Sequence, residues 1–367
     1  MFKFDKLRNV HLEISNRCQA SCPMCPRNLH GGLANPLIKE KDWTLADFKQ
    51  IFTQETLQQL TKISFCGTFG DPMMNNDLIA MCEYIKASKP EMDVRIHTNG
   101  SARNPSWWKQ LVEALPTQHE IVFALDGLED TQHIYRVGTS FKKIIKNAQA
   151  VIDSGGRAVW MFIRFKHNEH QVEEAKTLSK DLGFTEFVLK NTRRFDGPNF
   201  AVLNRNGEWI YDLNQPSDSI IKFVDRRDLE NFKVWPKATD INCFALDEEE
   251  IYIDANFTVM PCCILAAFLY TNYNEALHRL YGIYDARTSM VHIGSSIQKQ
   301  VYEIISELGG LSALDAKTVG VKAIIDSDKW QATWKEKWAT NTSTCCTVMC
   351  SSDSPFIKLE EQVVKDV

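Results

Sequence analysis

Three cysteines lie within eight residues near the start of the chain. Cys18, Cys22 and Cys25 form a C-x3-C-x2-C cluster, so their thiolates can reach one inorganic centre. A closed structural zinc site takes four protein ligands, whereas a site with three protein ligands keeps one position open for water or substrate. The spacing therefore favours a reactive metal centre. The alternative is a zinc loop or part of a ferredoxin-like site.

A second group of cysteines lies in the C-terminal third. The residues from 251 to 263 read as a hairpin that ends in Pro-Cys-Cys, and further cysteines precede and follow it. The members of this group are Cys243, Cys262, Cys263, Cys345, Cys346 and Cys350. Six thiols can supply four ligands, and four thiolates suit zinc as well as iron. Cys66 and Cys82 lie outside both groups and are predicted to be buried thiols.

Alternating strands and helices are predicted to position the first cluster. Six βα units in a row predict a parallel sheet with right-handed crossovers, and function gathers at the carboxyl ends of such strands. The periodicity fits both a partial barrel and a doubly wound sheet. The strand-like runs end at Ile14, Phe65, His97, Leu125, Arg164 and Leu189.

Local signals predict where several helices begin and end. Thr44 can cap a helix with Asp47 as its capping-box partner, and Asn104 precedes a proline suited to a first helical position. Gly155 and Gly183 stand where two helices would need left-handed caps.

Polar turns follow three of the strands. Residues 66–72, with the sequence Cys-Gly-Thr-Phe-Gly-Asp-Pro, offer a glycine for close backbone approach and a carboxylate that can accept from an ammonium group. The turn at 97–101 offers hydroxyl and amide groups suited to a ribose. An Asp-Gly pair at 126–127 follows the fourth strand, with Arg136 nearby.

Composition excludes some classes of function. The chain has 367 residues, with 42 basic and 47 acidic side chains and a net charge of -5, which argues against an electrostatic grip on nucleic acid. No apolar run approaches the ~20 residues of a membrane span, and the N-terminus lacks a signal-peptide core. We therefore expect a cytoplasmic protein without membrane contact, in which cysteines serve as metal ligands or buried thiols.

The spacing of the first cysteines resembles the signature of the radical S-adenosylmethionine (SAM) enzymes. In that family three cysteines hold a [4Fe–4S] cluster, and SAM chelates the fourth iron. The turn at 66–72 resembles the family's Gly-Gly-Glu-Pro motif, with Phe69 in place of the first glycine and Asp71 in place of the glutamate. The resemblance implies a partial (βα)6 TIM-type barrel.

The same resemblance implies a set of residues that bind SAM. Gly70, Asp71 and Pro72 would bind the amino group of SAM. Asn99, with Thr98 or Ser101, would bind its ribose. The pattern that begins at Ala124 and continues through Asp126 to Arg136 implies that Asp126 and Arg136 belong to the SAM site, with Arg136 on the SAM carboxylate, although Ala124 stands where the family has serine. The backbone of Met24 would meet the adenine.

The C-terminal cysteines resemble the SPASM or twitch extension, which binds an auxiliary [4Fe–4S] cluster. The ligands this implies are Cys243, Cys262, Cys346 and Cys350, with Cys263 and Cys345 as neighbours that can substitute. Phe257 stands where the hairpin of that family has glycine, so we expect its turn to differ.

Together these resemblances predict three segments: a radical SAM core at 1–195, a bridging segment at 196–240, and a smaller cysteine-rich α+β domain at 241–367. The implied reaction is reductive cleavage of SAM to a 5'-deoxyadenosyl radical, which abstracts hydrogen from a peptide or small polar substrate. The auxiliary cluster would assist substrate binding or electron transfer, and a flavodoxin or ferredoxin would donate electrons. The alternatives are modification of a nucleotide or nucleic acid, and a non-catalytic iron–sulfur or zinc protein.

Two other groups have ordinary structural interpretations. Trp330, Trp334 and Trp338 recur every four residues and are predicted to pack one part of the chain on another. The residues Lys190, Arg193 and Arg194 follow the sixth strand, where they can meet an anionic substrate or form a surface cluster.

Overall fold

The computed structural model describes residues 3–192, 194–195, 199–218, 241–270, 291–340, 343–350 and 364–365. A nine-stranded sheet, in the order β12–β11–β1–β4–β5–β6–β7–β8–β13, forms its centre. The strands are β1 (Asn9–Leu12), β2 (Asn28–Leu29), β3 (Leu33–Ala34), β4 (Lys62–Phe65), β5 (Asp93–Thr98), β6 (Gln118–Ala124), β7 (Ala158–Arg164), β8 (Glu186–Asn191), β9 (Asn199–Leu203), β10 (Trp209–Asn214), β11 (Glu250–Ile253), β12 (Val259–Met260) and β13 (Val364–Lys365).

The strand order decides between the two predicted architectures. From β1 through β4 to β8, neighbours in the sheet follow the order of the chain and pair in parallel, without a reversal. A doubly wound sheet reverses its order at a switch point, whereas a barrel does not. The first half is therefore the predicted partial (βα)6 barrel.

The α-helices cover the outer face of this sheet and bury the apolar side of each strand. Val10 and Leu12 on β1, and Ile63 and Phe65 on β4, have no exposed surface. The helices are α1 (Leu45–Ile51), α2 (Gln54–Gln59), α3 (Leu78–Ser88), α4 (Pro105–Ala114), α5 (Gln132–Tyr135), α6 (Phe141–Asp153), α7 (Val172–Asp181), α8 (Phe244–Asp247), α9 (Cys263–Ala267), α10 (Val291–Glu307), α11 (Val321–Ile325), α12 (Asp328–Ala339) and α13 (Thr344–Cys350).

The predicted helix ends are confirmed. Thr44 and Asp47 form a capping box at the start of α1, and the Asn104 side chain accepts from a backbone N–H at the start of α4. Gly155 and Gly183 follow α6 and α7 with φ of 78° and 87°, in the left-handed region that glycine adopts without strain.

The predicted C-terminal hairpin continues the barrel sheet. Strand β11 pairs in parallel with β1, and β12 returns antiparallel to β11. The described parts of both halves also share one hydrophobic core, to which Trp330 and Trp334 contribute with 1% exposure each. The packing role predicted for these tryptophans is thus confirmed.

We expected the turn of this hairpin to differ from a glycine turn, and that expectation is wrong. Phe257 adopts φ of 70°, so the chain keeps a glycine-like conformation with a phenylalanine in it. Its ring packs 5.0 Å from that of Trp43, and the ammonium of Lys41 lies 4.1 Å above it. Burial and this cation–π contact offset the backbone strain, which is about 1–2 kcal/mol for a non-glycine residue.

The predicted bridging segment is described only in part. Over 199–218 it contains β9 and β10, which form a separate two-stranded antiparallel sheet. Its remaining residues, and Arg193 before it, lie outside the described residues. In the ranges given above, no helix combines the length and apolarity needed to cross a bilayer.

Candidate active site

The three-cysteine loop follows β1 at the carboxyl edge of the sheet, and N–H groups point at its sulfurs. The Cys18 Sγ accepts from the backbone N–H of Ala20 at 3.4 Å and from the Asn99 amide at 3.5 Å. The Cys22 Sγ lies 3.9 Å from the Arg136 guanidinium. Such donors stabilise thiolates, which are the form that binds iron.

Burial opposes ionisation of the same thiols. It raises the pKa of Cys22 to about 11, against the opposing charge of Arg136, and it also raises the pKa of Cys18. Bound iron would offset this cost, because metal binding and thiol deprotonation are linked. Across the part of the chain that the structure describes, no three cysteine, histidine or acidic side chains lie close enough to enclose a single metal ion. The assignment of cluster ligands therefore stays a prediction.

Asp71 joins the predicted SAM-binding turn at 66–72 to the one at 97–101. It is 4% exposed, and its Oδ1 accepts from the Met73 N–H at 3.0 Å and the Thr98 hydroxyl at 2.9 Å. Its Oδ2 accepts from the backbone N–H of Asn99 at 2.8 Å and from the Asn99 amide at 2.6 Å. Burial raises the pKa of Asp71 although these donors act against it. The carboxylate thus organises both turns.

The residues on either side of Asp71 are explained by steric fit and by backbone conformation. A Cβ on Gly70 would lie 2.0 Å from the carbonyl oxygen of Ser15, so only glycine fits there. Pro72 begins a short 3-10 turn that Asp71 caps. The predicted Gly-Asp-Pro motif therefore has a structural requirement at each of its residues.

The amide of Asn99 extends this network to the cysteine loop. Its Oδ1 accepts from the side chain of Gln19, which follows Cys18, at 2.5 Å, and from the backbone N–H of Ser101 at 3.0 Å. The Ser101 hydroxyl accepts from the backbone N–H of Ser140. Thr98, Asn99 and Ser101 are all buried, so the structure brings these predicted ribose contacts together with the cysteine loop.

Asp126 and Arg136 form a buried ion pair beside Cys22. Asp126 has no exposed surface, and its second oxygen accepts from the backbone N–H of Ile163 at 2.6 Å. The Nε of Arg136 therefore donates to Asp126, while its Nη1 faces Cys22. Removing one partner of a buried ion pair strongly destabilises the protein, because the other charge stays buried without a partner.

Met24 is buried at 6% exposure in a small apolar cluster with Tyr135 and Phe165. Its carbonyl oxygen accepts from the guanidinium of Arg194 at 3.1 Å. Arg194, which the sequence analysis considered for an anionic substrate, thus contacts the cysteine loop instead.

The sequence analysis missed Glu13, which stands on the loop side of β1. Its Oε1 accepts from the backbone N–H groups of Phe69 and Gly70 at 2.6 and 2.8 Å, and its Oε2 accepts from the Tyr252 hydroxyl at 2.7 Å. A carboxylate within the strand-like run at 10–14 was the available signal, because such a group requires hydrogen-bond partners when it is buried.

The inner face of the barrel carries further titratable groups. Burial lowers the pKa of His11 to about 4 and that of His97 to about 3. Lys190 on β8 adds to the effect on His97. Alternation of these polar residues with fully buried apolar ones, such as Val10 and Ile96, was the sequence signal for an inward face.

The C-terminal cysteines are buried and act on one another. Repulsion from Cys263, Cys346 and Cys345 adds to burial in raising the pKa of Cys262. Cys243 acts in the same way on Cys346, and Cys350 acts on Cys345. Cys345 thus interacts with Cys262 as Cys346 does.

Cys263 and Cys66 interact on the barrel side of that region. Burial raises the pKa of both thiols to about 12, and Cys263 contributes to the shift at Cys66. Cys82 is fully buried in α3. The prediction that Cys66 and Cys82 are buried thiols holds for Cys82, while Cys66 retains some exposure.

Comparison with known proteins identifies the first half of the chain. Residues 12–178 match the model of the Radical SAM superfamily. A curated relative is PqqA peptide cyclase of Granulibacter bethesdensis, which is 20% identical over 194 residues, covering 53% of this chain and 49% of the relative. The match thus spans about half the length of that relative.

Solved structures with similar folds are distant. Streptococcus suis SuiB bound to S-adenosylmethionine has a TM-score of 0.48 and 16% identity, covering 84% of this chain and 72% of that chain. BtrN in complex with AdoMet and 2-DOIA has a TM-score of 0.45 and 13% identity, covering 98% of each chain. On the family match, residues 12–178 form a radical SAM domain, and the fold of that superfamily binds SAM and a [4Fe–4S] cluster.

Proposed function

We propose that this chain is a radical SAM enzyme that modifies a peptide and carries one auxiliary [4Fe–4S] cluster. One observation carries the proposal: the three-cysteine loop lies at the carboxyl edge of a partial barrel, bonded through Asn99 and Arg136 to the two turns that contain Asp71 and Asp126. The predicted cysteine ligands and the predicted polar SAM contacts, from four separate strand ends, thereby share one network.

The residues of this network have distinct roles in the proposal. When bound, the cluster supplies the electron that cleaves SAM. Asp71 holds the 98–99 turn and places a negative charge where an ammonium group can approach. The guanidinium of Arg136 lies 3.9 Å from the Cys22 Sγ and can bind a carboxylate there. Met24 and its apolar neighbours exclude water from that side.

A peptide substrate is supported by the name of the curated relative, a cyclase of the peptide PqqA. The inner face of the barrel fits a polar chain, because it offers the uncharged His11 and His97 together with the ammonium of Lys190. Short peptides encoded beside this gene are the first candidates, to be assayed by mass change after incubation with SAM and reduced flavodoxin or ferredoxin.

The auxiliary cluster is supported by bonds that tie together the segments carrying the C-terminal thiols. Cys346 and Cys350 lie one helical turn apart on α13, and the carbonyl oxygen of Cys350 accepts from the backbone N–H of Asn242 at 2.8 Å. This bond ties the helix to the segment that carries Cys243. Pro261 and Cys262 follow β12, which leads from the barrel sheet to the same region.

Iron analysis and SAM cleavage test both parts of the proposal. After anaerobic reconstitution, we expect about eight irons per chain and release of 5'-deoxyadenosine with dithionite. Joint replacement of Cys18, Cys22 and Cys25 by alanine abolishes release, whereas joint replacement of Cys346 and Cys350 removes only about four irons. Cys82→Ala is the matched control and keeps the full iron content. Zinc in place of iron, with no cleavage, would instead support the scaffold alternative.

A further inference from the structure

Glu13 is a buried carboxylate that the reaction outlined above does not use. It is 1% exposed, and its carboxylate accepts hydrogen bonds from two other segments of the chain. The N–H groups of Phe69 and Gly70 point at Oε1, and the Tyr252 hydroxyl points at Oε2. Charge-assisted bonds of this kind are stronger than neutral ones.

The two backbone groups held by Glu13 lie directly before Asp71. Their turn has no freedom to shift toward β1, because Gly70 already packs against the backbone of Ser15 and Asn16. The next N–H, that of Asp71, donates to the carbonyl oxygen of Arg17 at 2.8 Å. Three successive backbone donors are therefore fixed by the segment that leads into the cysteine loop.

Tyr252 brings the C-terminal hairpin into the same contact. It lies on β11, opposite His11 on β1 and opposite Met260 on β12. Two residues after Met260 comes Cys262, a predicted ligand of the auxiliary cluster. The Tyr252 hydroxyl thus bonds the cysteine-bearing hairpin directly to Glu13, which fixes the 69–70 turn.

We propose that Glu13 and Tyr252 form a positioning link, through which the C-terminal hairpin fixes the 69–70 turn and sets the affinity of the Asp71 site for SAM. This inference deepens the proposed function and rests on SAM binding at that site. It does not depend on the identity of the substrate.

The surroundings of Glu13 make the link sensitive to pH. Burial raises the pKa of Glu13 to about 7, and the charge of Asp254 acts in the same direction. Glu13 in turn contributes to the raised pKa of Tyr252, Tyr270, Cys66 and Cys263, which face it from the hairpin, the 268–270 turn, the end of β4 and α9. Below pH 7 Glu13 gains a proton and accepts more weakly from the two N–H groups, so the affinity for SAM should fall.

Equilibrium dialysis of SAM against the anaerobically reconstituted protein tests the link. Tyr252→Phe deletes one hydrogen bond, so we expect the Kd to rise about five-fold with iron content unchanged. Glu13→Gln keeps the shape of the side chain but removes its charge, so the Kd should rise by a similar factor or more and should change less between pH 6 and 7 than that of the wild type. Tyr84→Phe deletes a comparable bond from a tyrosine to the Phe52 carbonyl, away from the site, and should leave the Kd unchanged.

Three outcomes would overturn the inference: Kd values for Tyr252→Phe and Glu13→Gln equal to that of the wild type, a rise of the same size in Tyr84→Phe, or a change of Kd between pH 6 and 7 that is the same in Glu13→Gln as in the wild type. Each would leave the proposed function intact, provided that the wild type binds SAM. If the wild type does not bind SAM at all, the proposed function fails as well, so the two failures are distinguishable.

Discussion

Replacement of Asp71 by asparagine tests whether this carboxylate organises the site. The side chain keeps its shape, but one terminal atom changes from an acceptor to an NH2 donor. In the better orientation the NH2 replaces Oδ1, where the Thr98 hydroxyl can turn to accept from it while the Met73 N–H loses its partner. The two bonds from Asn99 to Oδ2 remain but lose their charge assistance.

The expected cost follows from these bonds. A buried N–H without a partner costs about 1–3 kcal/mol, and each bond from Asn99 weakens by about 1 kcal/mol when its acceptor becomes neutral. Asp71→Asn should therefore lower the free energy of unfolding by about 3–5 kcal/mol. Because the 98–99 turn also bonds to Cys18, we expect a rise of at least about ten-fold in the Kd for SAM, equivalent to about 1.4 kcal/mol.

Urea denaturation and SAM dialysis measure the two effects. Asp153→Asn is a suitable control, because that exposed carboxylate accepts only from Gln149 in the described structure, and its loss should cost less than about 0.5 kcal/mol. If Asp71→Asn proves as stable as this control and binds SAM normally, the bonds to Asp71 do not organise the site and our reasoning is wrong.

Three further predictions concern backbone strain, steric fit and pH. Phe257→Ala and Phe257→Gly both lose the buried ring, but only glycine relieves the positive φ, so urea denaturation should show the glycine variant to be more stable by about 1 kcal/mol; equal stabilities would contradict the strain at this turn. Gly70→Ala places a Cβ 2.0 Å from the Ser15 carbonyl and should abolish SAM binding in dialysis, whereas Gly155→Ala meets no atom within 4 Å and should cost only the ~1 kcal/mol of its positive φ. The pKa of His97 is lowered to about 3, so the unfolded state binds the extra proton below pH 6.5 and stability falls as the pH drops from 6.5 toward 3. His97→Gln should remove up to about 1.4 kcal/mol per pH unit of that slope, and an unchanged slope would show that His97 does not titrate in this way.

Local features of this chain could be predicted because their causes lie within a few residues. The capping box of Thr44 and Asp47 and the left-handed glycine after α6 each depend on one turn of backbone. The same holds for the cysteine loop, whose three thiols are close in sequence before any folding occurs. Strand ends were also predictable to within about two residues, because alternation and polar turns mark them.

The residues that complete the site depended on contacts between distant segments. Asp71 contacts a turn that lies 27–28 residues away, and Tyr252 reaches Glu13 across 239 residues. Neither pairing has a signature in spacing: the first arises when β4 and β5 lie side by side in the sheet, and the second when β11 joins the sheet beside β1. The positive φ of Phe257 is similar, because tertiary packing of its ring overrides the local preference for glycine.

By itself, therefore, the sequence determined the chemistry that was available: a three-thiol loop, polar turns at strand ends and a late group of cysteines. Only the tertiary structure decided that the strands form a partial barrel, that the C-terminal hairpin extends its sheet, and that a buried glutamate joins the two. The physical reason is that side-chain chemistry is fixed by residue type, whereas strand order and long-range hydrogen bonds are set by the packing of the whole chain.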